Sequence, residues 1–419
     1  MRGHPPLRSP STGHAWRLAA CAALATGALC LLLVWLPSFS QASGQVTNCA
    51  NQTDLQSKLS GGGLVTFSCG VATIPVGSTL VITSPTTIDG GGQITLDGQD
   101  VTRILSVTGS VALTLTNLTL DRGRAITGNG GALLSLGEVV LDRVTVMRSS
   151  AASGFGGGVS ASSATVTGST FVSNTALFGG GLYGTSTTIV TSSTFVSNTA
   201  QFSGGGLLST FATVTSSSFV SNTAKNNGGG LSASSATVTS SSFVSNTAGL
   251  SGGGVSASSA TVTGSTFVSN TAALVGGGLY GASTTIVTSS TFVSNTASTQ
   301  GGAIRASMLL TIENSTLVAN NAPLASAVFN GSGSGSTLIA FSTLSAHSPA
   351  SGTISTAGPL TLRDSIVAQS SGIVCVGAGV KLLAGKNFLP DATCDRQRPA
   401  QPLLGPLADN GGPTSTRRC

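Results

Sequence analysis

Residues 156–176 read GGGVSASSATVTGSTFVSNTA, and the same letters return at 252–272. Between and beyond these copies, TFVSN or SFVSN places Phe171, Phe195, Phe219, Phe243, Phe267 and Phe292 in steps of 24 or 25 residues. The GGG signal recurs in steps of 23 to 25 residues and weakens to Gly301-Gly302-Ala303. Within one unit the pattern has period two, with Val159, Val166 and Phe171 on one side and Ser and Thr on the other, as in a strand. Three adjacent glycines break a helix, and 24 residues are too few for a βαβ crossover. The remaining solution is a coil of short strands in which each turn stacks in parallel on the last.

Degenerate anchors carry the frame outward, through Leu96, Leu120 and Val146 on one side and Leu317, Leu344 and Ile366 on the other. The expected fold is all-β: a single right-handed parallel β-helix of about twelve turns over 86–370, a rod of about 55–60 Å. Equivalent residues then lie about 4.8 Å apart. The phenylalanines form an internal stack, while Asn174, Asn198, Asn222, Asn246, Asn270 and Asn295 form an amide ladder at a left-handed corner. Residues 179–200 recur at 276–297 with one exchange, Thr185 for Ala282. A block of four turns has therefore been duplicated, which suits a spacer or display surface better than a site spread over fixed turns.

Composition agrees. Gly supplies 57 of 419 residues and charged residues only 7%, against about 25% in an ordinary globular domain. Rows of hydroxyls must face water in place of charge. The formal charge of +6 includes Arg2, Arg8 and Arg17 ahead of an apolar stretch. No basic run is interleaved with aromatics, so nucleic acid is not an expected partner. Leu18–Leu36, Pro37 and the small residues Ser40 and Ala42 read as an export signal over 1–42, with the mature chain starting near Ser43. A run of this length also spans a bilayer, so a signal-anchor stays open, and the membrane is expected only through this segment. Residues 43–85 read as an N-terminal cap and 371–419 as a C-terminal segment. Cys49 and Cys69, and Cys375 and Cys394, are spaced for one local disulfide at each end in an oxidising compartment. Cys21 and Cys30 leave with the signal, and Cys419 is left over.

The GGA/GGG signal followed by F-x-x-N resembles the repeats of chlamydial-type polymorphic outer membrane proteins. Both ends resemble bacterial β-helix proteins of the choice-of-anchor Q type. The N-terminal likeness runs through the Cys49–Cys69 region, TTIDGGGQITLDG (86–98) and LTLTNLTL (113–120); the C-terminal one runs through the Cys375–Cys394 pair and LLGPLADNGGPT (403–414). The resemblance covers most of 46–414 and implies an architecture at the cell surface rather than one activity. Proteins of this type continue past the NGGPT string, so truncation near Cys419 is expected.

Chemistry is sparse. From Ser149 to Ile304 the only charged residue is Lys225. Lyases and glycosidases built on β-helices need carboxylates that these turns lack. The N-terminal third offers Asp97 and Asp121, 24 apart and expected on adjacent turns, with Asp89, Asp100, Asp142, Arg122 and Arg124 nearby in sequence. They read either as a paired-carboxylate or calcium site or as corner residues at the entry to the coil. His347, in a Ser/Ala/Pro-rich loop, is expected to be solvated. Phe178 and Phe202, beside glycine corners, are read either as exposed contacts or as rings folded back over the corner. The outward TVT strings form a threonine array, interrupted at 187–190 and 284–287, of the kind that binds ice in other β-helices. The leading expectation is a secreted or surface scaffold without catalytic activity or cofactor, contacting surface glycans or cell-envelope components. The alternative is a polysaccharide-binding or -degrading β-helix with its site at the N-terminal turns.

Overall fold

The computed structural model describes residues 42–345 without a break, then 347, 352–368, 374–377, 381–389, 393–394, 407–408 and 416–417. The expected signal over 1–42 (apart from Ala42), the surplus Cys419 and most of 395–419 lie outside the described residues. The described chain winds into a right-handed parallel β-helix of about 14 turns with one short helix, Thr53–Leu59.

One central turn shows how the letters become a coil. The strand Leu231–Thr239 buries Leu231, Ala233, Ala236 and Val238. Ser240, in left-handed backbone at φ 48°, and Ser241 turn the chain into the strand Ser242–Val244, which buries Phe243. A second left-handed serine, Ser245 at φ 54°, and Asn246 lead into Thr247–Ala248. The loop then closes through Gly252, Gly253 and Gly254. Pairing inside the coil is parallel, and in the phenylalanine column it is in register, so that Phe219, Phe243 and Phe267 are successive neighbours. The first two strand columns run around the coil as one sheet. The third stacks separately as seven strands, from Ser150–Phe155 to Thr296–Ala297.

The core is a set of columns. Six phenylalanine rings stack with centroids 4.5–4.9 Å apart and planes within 8° of parallel, a spacing imposed by the strands. The same column continues as Val146, Leu120, Leu96 and Ile74 on one side and as Leu317 and Leu344 on the other. Its next member is Val367 and not Ile366, because Ile366 pairs with Thr343. Turns beyond the expected twelve come from both ends. Gly63–Phe67, Ala72–Pro75 and Leu80–Ile82 pair into the coil from within 43–85, and Lys381–Ala384 pairs onto Leu360–Arg363. These turns lack the Phe and GGG anchors by which the others are counted.

Two polar ladders run inside the corners. Asn222 donates from Nδ2 to Asn246 Oδ1 (3.0 Å) and to the Phe195 carbonyl (2.9 Å). Its Oδ1 accepts from the backbone N–H (3.0 Å) and Nδ2 (2.9 Å) of Asn198. This pattern repeats from Asn174 to Asn320, so the expected amide ladder is present. The left-handed backbone, however, falls on the residue before each asparagine, a serine everywhere except Ala319. Asparagine is needed here for its side-chain donor and acceptor together, which serine in the exposed left-handed position does not supply. The second ladder is of serine. Each backbone N–H from Ser169 through Ser193, Ser217, Ser241 and Ser265 donates to the next turn's hydroxyl at 3.1 Å. Two residues before every phenylalanine of the repeat stands one of these serines.

The glycine triad serves close approach. At Gly205 a Cβ would sit 2.3 Å from the Gly229 carbonyl oxygen, and at Gly206 it would sit 2.9 Å from the Phe219 ring. Only the first glycine, Gly204, uses positive φ, at 70°. Disulfides join Cys49 to Cys69 and Cys375 to Cys394, as expected.

Candidate functional site

The strands Thr86–Asp97 and Leu113–Asp121 pair so that Asp97 lies beside Asp121, and Thr95 beside Thr119. Met147 of Thr145–Met147 continues the aspartate column. Side chains at these positions point outward, since Leu96, Leu120 and Val146 between them point in. The chain then turns at Arg122 and Arg148, both in left-handed backbone at φ 50°. From there each guanidinium reaches back one turn. Arg122 Nε donates to Asp97 Oδ1 (3.0 Å) and its Nη2 to Oδ2. Arg148 Nε donates to Asp121 Oδ1 (2.9 Å) and its Nη2 to Oδ2. Asp97 Oδ1 also accepts from the Gln99 N–H (2.9 Å), closing the corner that follows it.

The result is a groove of about 530 Å³, walled by the two ion pairs, Thr73, Thr95, Thr119 and Met147. The two aspartates expected on adjacent turns do lie on adjacent turns, each with an arginine as its partner. Asp97 shapes a corner, and both carboxylates face one groove. Their side chains are only 9% and 10% exposed, against 40% for Arg122 and 55% for Arg148. A fork-to-fork pair in this setting fixes geometry as well as charge. The hydrogen bond from each guanidinium to its aspartate, and then the aspartate's charge, raises proton affinity at Arg122 and Arg148. Both stay cationic, the wrong direction for proton abstraction.

The other nearby charges belong to different faces. Asp89 accepts from the Gly91 N–H (2.9 Å) and Asn117 Nδ2 (3.1 Å), and the Gly91 bond holds its carboxyl below the usual range. Arg143 joins that group, donating to Asn117 Oδ1 (2.7 Å) and pairing with Asp142 (2.8 Å). Arg124 lies beyond the corner, with Nη1 at 3.3 Å from the Asp100 carbonyl. Among the described residues no three His, Cys, Asp or Glu side chains gather as a metal site.

His347 departs from expectation. It is 3% exposed, and its Nδ1 accepts from the Asn320 N–H at 3.2 Å, ending the asparagine ladder. The imidazole occupies the next ladder position because its ring nitrogen supplies the acceptor that an amide oxygen supplies elsewhere. Phe178 stacks between Phe202 (4.8 Å) and Phe155 (5.1 Å) outside the glycine corner, with Phe202 40% exposed. The outward threonines resolve into two columns. Thr165, Thr213, Thr237 and Thr261 share theirs with Ile189 and Ile286, whereas Thr167, Thr191, Thr215, Thr239, Thr263 and Thr288 run unbroken.

Arg122 was among the charges nearby in sequence, whereas Arg148 was not singled out; the available signal was an arginine directly after Asp121 and after Met147, at the repeat's corner position. No helix among the described residues is long and apolar enough to cross a membrane. No curated protein and no solved structure matches the chain. One repeat does find a counterpart: residues 289–307, which hold Phe292, Asn295 and the Gly301-Gly302-Ala303 corner of one turn, match the Chlamydia polymorphic membrane protein repeat.

Proposed function

We propose that the chain is exported and displayed at the cell surface, or secreted, as a β-helical scaffold whose N-terminal turns contact surface glycans or cell-envelope polysaccharide without cleaving them. The export signal read in 1–42 and the likeness of one turn to a membrane-protein repeat support the location. The observation that carries the non-catalytic reading is the clasp on both groove carboxylates. Each is occupied by a guanidinium whose proton is held more tightly than usual. The same groove, with two carboxylates on adjacent turns about 4.8 Å apart along the axis, favours one second reading, a polysaccharide-cleaving enzyme.

Incubating the purified chain with a polysaccharide panel, and scoring binding and sugar release together, separates the two. Binding without release is the expected result. Release that vanishes in Asp97→Asn or Asp121→Asn would replace the scaffold with an enzyme, and absence of any binding would remove the glycan reading.

A further inference from the structure

The corner Arg122–Gly123–Arg124 separates two arrangements of positive charge. On one side Arg122 is engaged by Asp97. On the other, Arg124 and Arg103 line a second cavity of about 180 Å³, together with Thr79, Thr102, Val101 and Ile126. Neither of these two arginines forms an ion pair among the described residues. Arg103 is partly buried and held by main-chain carbonyls. Its Nε donates to Gly130 O (2.9 Å) and Asn129 O (3.2 Å), and its Nη2 to Asn129 O (2.7 Å). That leaves Nη1 as the donor without a protein acceptor. Burial with no countercharge pushes this guanidinium's proton affinity down. Asp100, the acid nearest in sequence, does not line the cavity, and its charge acts on Arg122.

Two guanidiniums that line one cavity, each held by main-chain carbonyls and neither paired with a carboxylate, favour an anion there. The remaining lining says what carries it. The hydroxyls of Thr79 and Thr102 meet at 3.1 Å, and Val101 (58% exposed) and Ile126 (69%) give aliphatic surface. Hydroxyls beside aliphatic walls match the polar edge and apolar face of a sugar ring. The volume is below the roughly 300–1,000 Å³ of pockets for drug-sized ligands and suits one ring. We infer that this cavity binds an acidic sugar residue of a polysaccharide, its carboxylate or sulfate taken by Arg103 and Arg124. This rests on the reading that the N-terminal turns contact glycan.

The test uses the full chain with three immobilised polymers: polygalacturonate, dextran sulfate and unmodified dextran. Wild type is expected to retain an anionic polymer, with affinity falling as salt rises, and not unmodified dextran. Arg124→Gln removes an exposed cation and is expected to weaken retention roughly tenfold with an unchanged melting temperature. Arg103→Gln weakens it as well, with melting checked because its three carbonyl contacts also hold the loop. Arg143→Gln, a surface arginine elsewhere, leaves retention unchanged. The polymer whose binding responds to Arg124→Gln identifies the anion as carboxylate or sulfate. Retention indifferent to Arg124→Gln, or weakened equally by Arg143→Gln, overturns the pocket while leaving glycan contact standing. Failure of wild type to retain any polymer overturns both.

Discussion

Replacing Asn222 by Ala tests the ladder that joins one turn to the next. Its side chain is fully buried and takes part in four hydrogen bonds, two donated to Phe195 O and Asn246 Oδ1 and two accepted from Asn198. At about 1 kcal/mol net for each bond, the loss is about 4 kcal/mol. The Asn198 N–H is also left buried without its acceptor, which adds about 1–3 kcal/mol. A total of about 5–7 kcal/mol is comparable to the whole stability of many domains, about 5–15 kcal/mol. In a coil whose stability is close to a sum over turns and their interfaces, the damage centres on the turns next to the substitution. Urea unfolding followed by circular dichroism measures the total, and hydrogen exchange locates it. The Asn198 amide is expected to lose most of its protection, while amides near Leu96 keep theirs. A loss below about 1 kcal/mol, or unchanged exchange at Asn198, would refute the claim that the amide ladder couples the turns.

Three further outcomes follow from the same contacts. Phe219→Leu is expected to cost under about 1.5 kcal/mol and Phe219→Ala about 3–5 kcal/mol in thermal melts, since leucine already occupies this column at Leu120 and Leu317. Gly205→Ala places a Cβ 2.3 Å from one carbonyl oxygen and 2.6 Å from another and is expected to lower the melting temperature sharply; Gly333→Ala, with nothing within 4 Å, leaves it unchanged. The folded Asp89 carboxyl lies below its ordinary value, so its contribution is present above that value and lost as pH falls through the lowered one. Melting temperature should therefore fall below about pH 4, and Asp89→Asn should flatten that dependence.

The fold was legible because every central turn repeats the same buried Phe, corner Asn and glycine triad, and parallel stacking is the one way to bury them all. Register was legible for the same reason: Leu96 and Leu120 set Asp97 beside Asp121. What escaped depends on backbone direction rather than residue type. Arg122 and Arg148 reach the preceding turn because left-handed φ at the corner turns their side chains back, which spacing alone does not show. Ile366 and Val367 are both apolar, so only the pairing with Thr343 and Leu344 tells which one enters the core. His347 has no asparagine letter to announce it, yet it presents an acceptor at the same place. The serine ladder was hidden because serine on a polar-looking string reads as surface, whereas Ser217 and Ser241 are buried and bonded across turns.

The central claim is that repeated turns space and support a contact surface confined to the N-terminal end. Deleting residues 156–251 removes four whole turns and brings Phe155 onto Gly252, so that the identical letters of 252–272 take the place of 156–176 on the turn before them. Measured together, circular dichroism and polysaccharide retention of this shortened chain decide the matter. The account predicts an intact β spectrum and wild-type retention; loss of either would contradict it.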